Sequence, residues 1–321
     1  MSSLKNEKIV FIVGAGLSSI VGFPTQAKLC DKLKKKFPNE SNHDLYSNDI
    51  EQMITMIQIA AQNKDINLTY EDIPDYPIQV LLRNIKKILS EQKLKEENVS
   101  VIKNLINKSS LYKQSTFINL NWDSSLEDII NTMGMGVDYC VDFDYDEQKA
   151  FNKNKKIEVL KPHGCINWNY CIKCRRLSNS KGKNARKEIF YSEDLHINCE
   201  CENIHYSQND EEMIIVPPTF IKETRNYPFD KIQRRVHQRI GTADVIVIIG
   251  YSLRESDYDM RYALMSAISA DIGENKNLST RIVIFGAKRN SKKIAKFFSN
   301  ILTYPDISCY GFLDKETVEY I

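Results

Sequence analysis

The 321-residue sequence predicts an α/β fold built on a doubly wound parallel sheet, and three observations carry that expectation. Short continuous apolar runs (Ile9–Val13, Ala243–Ile249 and Arg281–Phe285) each end on a glycine, as strands buried on both faces do when they feed tight turns. Segments with apolar residues at helical spacing alternate with those runs, the pattern of parallel strands joined by covering helices. Hydrophobic residues make up 42% and charged residues 27%, the balance of a globular chain with a full core.

Lys8–Val13 opens the sheet and runs into Gly14-Ala15-Gly16, and the helix that follows is expected at 25–36, with apolar Ala27, Cys30 and Leu33 after Pro24. Residues 40–110 carry three helical stripes, around Ile50–Ala61, Ile78–Leu89 and Val101–Ile106, and read as a helical insertion. The strand pattern resumes at 115–120, with a helix expected at 124–131. From Cys165 to Glu212 the chain is polar and poor in periodicity, an excursion that needs its own staple. Buried strands are expected again at Ile214–Val216, Ala243–Ile249 and Arg281–Phe285, separated by helices at 228–240, 257–270 and 290–299. The division is therefore a Rossmann-like unit of 1–39, 111–164 and 213–321, a helical insertion at 40–110 and a small module at 165–212.

A net charge of +2 means that the abundant lysines are balanced by acids, which argues against a nucleic-acid stripe. No run approaches the roughly 18 apolar residues of a membrane span, and Met1–Lys8 is polar, so a cytoplasmic protein is expected. Its eight cysteines then point to metal or packing roles, because the cytosol keeps thiols reduced.

Five clusters carry chemistry. Gly14-x-Gly16 lets backbone amides approach a diphosphate, and Ser18 and Ser19 add hydroxyls that also suit helix caps. Asn121 and Asp123 stand just past a strand's carboxyl end, where open α/β sheets bind ligands, although Asp123 also suits the cap of the next helix. His163, between Pro162 and Gly164, sits in a sharp turn that aims its imidazole, a natural proton acceptor near neutrality. Gly250-Tyr251-Ser252-Leu253 ends the most apolar strand, with Asp257 and Asp259 placed either to cap the next helix or to meet a ribose. Cys171-x-x-Cys174 and Cys199-x-Cys201 flank the polar excursion and match four thiolates around a structural Zn²⁺. The tighter second pair leaves His196 or His205 as substitutes for one ligand.

Together these residues resemble the sirtuins, and in particular the sirtuin-like domains of bacterial antiphage defence proteins. Gly14, Ala15, Gly16, Ser18, Gly22 and Pro24 match the family's GAGxSxxxGxP turn at every spacing. Asn119–Asp123 is similar to its TQNID element, His163-Gly164 to its HG element with the same gap to Cys171, and Gly250–Leu253 to its GTSL element. Departures are equally plain: Thr25-Gln26-Ala27 replaces Asp-Phe-Arg, and Val216-Pro217-Pro218-Thr219-Phe220 cannot donate the hydrogen bonds of an acyl-peptide clamp. The resemblance implies a sirtuin-like Rossmann fold with a zinc-ribbon-like module. It also implies NAD⁺ as substrate and hydrolysis to nicotinamide and ADP-ribose in antiviral defence, with protein deacylation or NAD⁺ or ADP-ribose sensing as alternatives. On that reading Gly14, Ala15, Gly16, Ser18, Pro24, Gly250 and Ser252 hold the dinucleotide and Asn121, Asp123 and His163 act on it. Self-assembly, or a regulatory or ATPase partner, is expected to control such an activity, with the helical insertion as the candidate interface.

Overall fold

The computed structural model describes residues 5–36, 49–50, 52–55, 77–152, 155–171, 177–179, 211–215, 227–255, 257–270, 280–302 and 305–321. Seven strands form one parallel sheet: β1 (Lys5–Val13), β2 (Tyr112–Asn119), β3 (Gly136–Asp138), β5 (Lys156–Leu160), β9 (Val245–Ile249), β10 (Arg281–Phe285) and β11 (Asp306–Tyr310). Their order is β11-β10-β9-β1-β2-β5-β3. The chain thus winds outward from β1 through β2 on one side and returns through β9 on the other, which makes the β1–β9 boundary the topological switch point.

Burial follows the apolar runs. Every residue of β9 is buried, and Phe11 of β1 stacks on Phe117 of β2 with ring centroids 4.6 Å apart. Eight helices are described: α1 (Ala15–Ile20), α2 (Gln26–Lys36), α3 (Pro77–Ser90), α4 (Glu96–Ser109), α5 (Ser125–Thr132), α6 (Phe229–Gly241), α7 (Tyr258–Ala270) and α8 (Lys288–Ser299). Ile50, Leu81, Ile85, Ile102 and Leu105, from the segment read as a helical insertion, share one apolar core with β1, β2 and β9.

A second sheet has the order β4-β7-β6-β8, from β4 (Tyr145–Asp146), β7 (Leu177–Asn179), β6 (Gly164–Cys171) and β8 (Glu211–Ile215). It corrects two expectations. Residues 164–171 are a strand rather than the start of a polar excursion, because Trp168 is buried and meets Tyr139 and Phe143 edge-on at 5.3 and 5.4 Å. Ile214-Ile215 pairs antiparallel to β6 instead of joining the parallel sheet. Sequence periodicity also passed over β3 and β11, the two edge strands, and β5, whose first three residues are only partly buried.

Of the four candidate zinc thiols, only the backbone of Cys171 is described. Cys174, Cys199 and Cys201, with His196 and His205, lie outside the described residues, as does 216–220. Among the described residues no group of three His, Cys, Asp or Glu side chains could hold a metal, and no helix is long and apolar enough to cross a membrane.

Candidate functional site

Strand register assembles the site. Val13 pairs with Asn119 on one side and Ile249 on the other, and Ile249 pairs with Phe285, so residues 14, 120, 250 and 286 emerge side by side at one sheet edge. Leu160 pairs with Ile118, which delivers Lys161–Gly164 to the same edge. A cleft of about 420 Å³ opens there, lined by Gly14, Ala15, Gly16, Pro24, Asn121, Asp123, His163, Gly250 and Ser252 among others. Of the residues assigned to hold the dinucleotide or act on it, Ser18 does not line the cleft, and neither do Ser19 and Asp259, which the sequence offered beside them.

The glycine turn is explained by backbone crossing. Gly14 N–H donates to the Ile249 carbonyl and Gly16 N–H to the Gly250 carbonyl, each at 3.0 Å. A Cβ on Gly16 would stand 2.4 Å from the Gly250 Cα, so neither turn tolerates a side chain at the crossing. This refines the sequence reading, since the two glycine amides are already committed to the strand beside them. The Ala15 amide, at the start of α1, takes no acceptor among the described residues. A further correction concerns α1 itself, which begins immediately after Gly14, so that Ser18 and Ser19 sit within a helix rather than at its cap.

Ser18 is a buried hub. Its hydroxyl donates to Asp123 Oδ1 at 3.1 Å and accepts from Asn121 Nδ2 at 2.9 Å and Ser125 Oγ at 3.1 Å, which uses all its hydrogen-bonding capacity. Asn121 Nδ2 also donates to the Gly14 carbonyl at 3.0 Å. A carbonyl can only accept, so the amide orientation is unambiguous and Asn121 Oδ1 is the atom left for a ligand. Asp123 Oδ1 further accepts from Ser125 N–H at 3.0 Å, although the N-cap position of α5 is Ser124, which makes no side-chain cap bond.

His163 occupies a turn closed by Gly164 N–H donating to the Lys161 carbonyl at 3.0 Å, with Gly164 in the left-handed region at φ +74°. Its Nδ1 is 3.3 Å from the Leu120 carbonyl and its Nε2 is 3.8 Å from Asp257 Oδ1. Behind it, Lys161 is wholly buried, donating to the Asp123 carbonyl at 2.6 Å and to Glu127 Oε1 at 2.9 Å. Burial alone would pull the Lys161 ammonium down, but Cys165, Glu127 and Asp123 nearby more than offset that and hold it above lysine's ordinary value. It is therefore charged, and it ties the 161–164 turn to α5.

Sequence reasoning passed over Lys161, Arg254, Asn290 and Phe312. Arg254 lines the cleft while pairing with Asp49 at 3.1 Å, and Phe312 stands 70% exposed at its rim. Lys161 and Arg254 adjoin motifs read from sequence, but their partners Glu127 and Asp49 lie far away in the chain, and residues 290 and 312 follow later strands.

A doubly wound sheet with a cleft at its switch point defines a Rossmann-like α/β protein. Residues 115–303, more than half of the chain, match the SIR2-like domain model, and the chain belongs to that family. The match begins within β2, so the glycine turn at 14–16 stands outside it. Among solved structures, a Sir2–p53 peptide–NAD⁺ complex is similar at 14% identity and TM-score 0.39, covering 98% of this chain and 90% of that one. A mutant Sir2 homologue with ADP-ribose is similar at 12% identity and TM-score 0.47, covering 99% and 93%. Sir2Tm bound to a propionylated peptide is similar at 14% identity and TM-score 0.40, covering 98% and 90%. No curated protein matches the chain.

Proposed function

We propose that the chain is an NAD⁺ glycohydrolase, transferring the ribose C1′ of NAD⁺ from nicotinamide to water and releasing ADP-ribose and a proton. The observation that carries this reading is the convergence of Asn121, His163, Ala15 and the 250–252 turn on one cleft at the switch point. Nicotinamide leaves as a neutral amine, so the leaving group needs no acid. The demand is to orient water and to stabilise the oxocarbenium-like ribose. The Ala15 amide, the N-terminus of α1 and Ser252 suit the diphosphate and adenosine half. Asn121 Oδ1 suits a ribose hydroxyl or the attacking water, and Asp123 holds the Ser18 hub that aims Asn121. His163 Nε2 accepts the proton. Orientation and electrostatics together supply about 7–11 kcal/mol of barrier lowering in such a site.

Nicotinamide and ADP-ribose released from NAD⁺ by the purified chain are the test, measured by mass spectrometry without any peptide. Asn121→Ala and His163→Ala are each expected to stay folded and to lose at least about a hundredfold in turnover. Normal turnover in either variant would remove that residue from its role. Consumption that begins only when an acyl-lysine peptide is added would favour a deacylase, and binding without nicotinamide release a sensor. On the sequence resemblance, depletion of NAD⁺ during phage infection is the proposed biological use, carried out by a cytoplasmic homo-oligomer or a complex with a regulatory partner. Infected cells that keep their NAD⁺ would contradict it. The domain division read from sequence is proposed with it, including a 165–212 module stapled by Zn²⁺ on Cys171, Cys174, Cys199 and Cys201. Cys171→Ser is expected to lose that zinc, read by metal analysis of the same preparation. No step of the reaction runs through it.

A further inference from the structure

His163 has a fixed tautomer. The Leu120 carbonyl, 3.3 Å from Nδ1, can only accept, so Nδ1 carries the hydrogen and Nε2 keeps its lone pair. Asp257 Oδ1 lies 3.8 Å from that lone pair, and Asp257 Oδ2 accepts from the Tyr251 hydroxyl at 2.6 Å. Asp257 is 6% exposed, and its backbone is held on both sides, by its N–H donating to the Arg254 carbonyl and its own carbonyl accepting from Arg261 N–H. The sequence offers this residue either to cap α7 or to meet a ribose, and its carboxylate turns inward to Tyr251 and His163.

We infer that Asp257 is a positioning residue for His163, its carboxylate steadying the imidazolium that forms when Nε2 takes a proton. The use of that pair in turnover rests on the glycohydrolase reading, whereas the pair itself does not. As water attacks, its oxygen bonds to C1′ and the C1′–N bond breaks with its electrons passing to nicotinamide. The water proton goes to Nε2 and then to solvent. In the neutral ring Nε2 and the carboxylate are both acceptors and stand 3.8 Å apart; once protonated, Nε2 donates to Oδ1 and the contact closes. Other charged groups reach the same space. Asp123 and Arg254 line the cleft, Arg254 is already engaged by Asp49, and the Lys161–Glu127 pair lies behind the turn.

Asp257→Asn removes the charge and keeps an acceptor for Tyr251. Imidazole titration by NMR on the full chain, with the His163 signal identified by its loss in His163→Asn, reads the pair without any turnover. The His163 midpoint is expected to fall by about one unit in Asp257→Asn. In parallel, the acid limb of NAD⁺ hydrolysis should move down by the same amount and kcat fall about tenfold, with KM changed less than about twofold. Tyr251→Phe, which strips a donor from the carboxylate, is expected to raise the same midpoint, and it serves if Asp257→Asn does not fold. A His163 midpoint that stays within about 0.2 unit in Asp257→Asn, or does not rise in Tyr251→Phe, overturns the assignment. If the midpoints shift as stated but the parent protein leaves NAD⁺ intact, the glycohydrolase reading fails and the pair stands.

Discussion

Glu127, fully buried, and Glu158, half-buried, are both reached by cations, yet their carboxyls shift in opposite directions. Glu158, on β5, has both oxygens occupied: Arg239 and Thr116 reach Oε2, while Arg235 at 3.0 Å, Arg239 at 2.7 Å and the Cys140 thiol at 3.4 Å reach Oε1. Burial pushes its carboxyl up, but the hydrogen bonds from Arg239 and Thr116 and the guanidinium charges outweigh it and hold the group down at about 2. Glu127 collects its partners on one oxygen, Lys161 at 2.9 Å and Asn119 at 3.2 Å, and Oε2 is buried with no partner among the described residues. There burial wins and raises the carboxyl, with Lys161 only partly offsetting it. Donors on both oxygens, at a shallower site, set the sign at Glu158. The under-supplied carboxylate is the one beneath the candidate site, and the well-supplied one braces α6 against the sheet.

Breaking the poorer pair has the largest expected effect. Lys161→Met leaves Glu127 buried without its cation and should cost about 3–5 kcal/mol in denaturant unfolding. Adding Glu127→Leu should restore most of that loss, since the desolvated charge is then gone. A single variant as stable as the parent would show that the pair contributes nothing.

The richer cluster gives a pH signature. Its folded value near 2 lies below the ordinary 4.5, so its stabilisation is complete above the ordinary value and is lost as pH falls from there toward 2. That loss should amount to about 2–3 kcal/mol between pH 5 and pH 2, visible as a falling urea midpoint. In Glu158→Gln the midpoint should start lower at neutral pH and lose that acid limb. An unchanged limb would mean that other carboxylates carry it.

The smallest effect sharpens the same contrast. Thr116→Val preserves shape and removes one donor from Glu158, so stability should drop by about 1 kcal/mol and the acid limb should move upward. A limb that stays in place would assign the whole depression to the two arginines.

Much of the site could be read from local sequence. Gly14, Gly16, Asn121, Asp123, His163 and Gly250 all follow apolar strand runs, and all line the one cleft. What those residues do for one another could not be read. Ser18 looks like a ligand hydroxyl and is saturated by Asn121, Asp123 and Ser125. The glycines look like a diphosphate cradle, and the amides of Gly14 and Gly16 are bonded to the carbonyls of Ile249 and Gly250. Trp168 stood in a stretch with no periodicity because both faces of β6 are buried over residues 164–168, which removes the alternation that marks a half-exposed strand.

Sequence by itself determined which segments become central strands and that tight turns follow them, because apolar runs and glycines act over a few residues. Tertiary structure alone decided strand order and register, and through them the meeting of residues 14, 121, 163, 250 and 257 at one edge. It also decided the tautomer of His163, the inward turn of Asp257 and the opposite fates of two glutamates. Each depends on partners dozens to hundreds of residues away in the chain, and only packing against the shared core sets those distances.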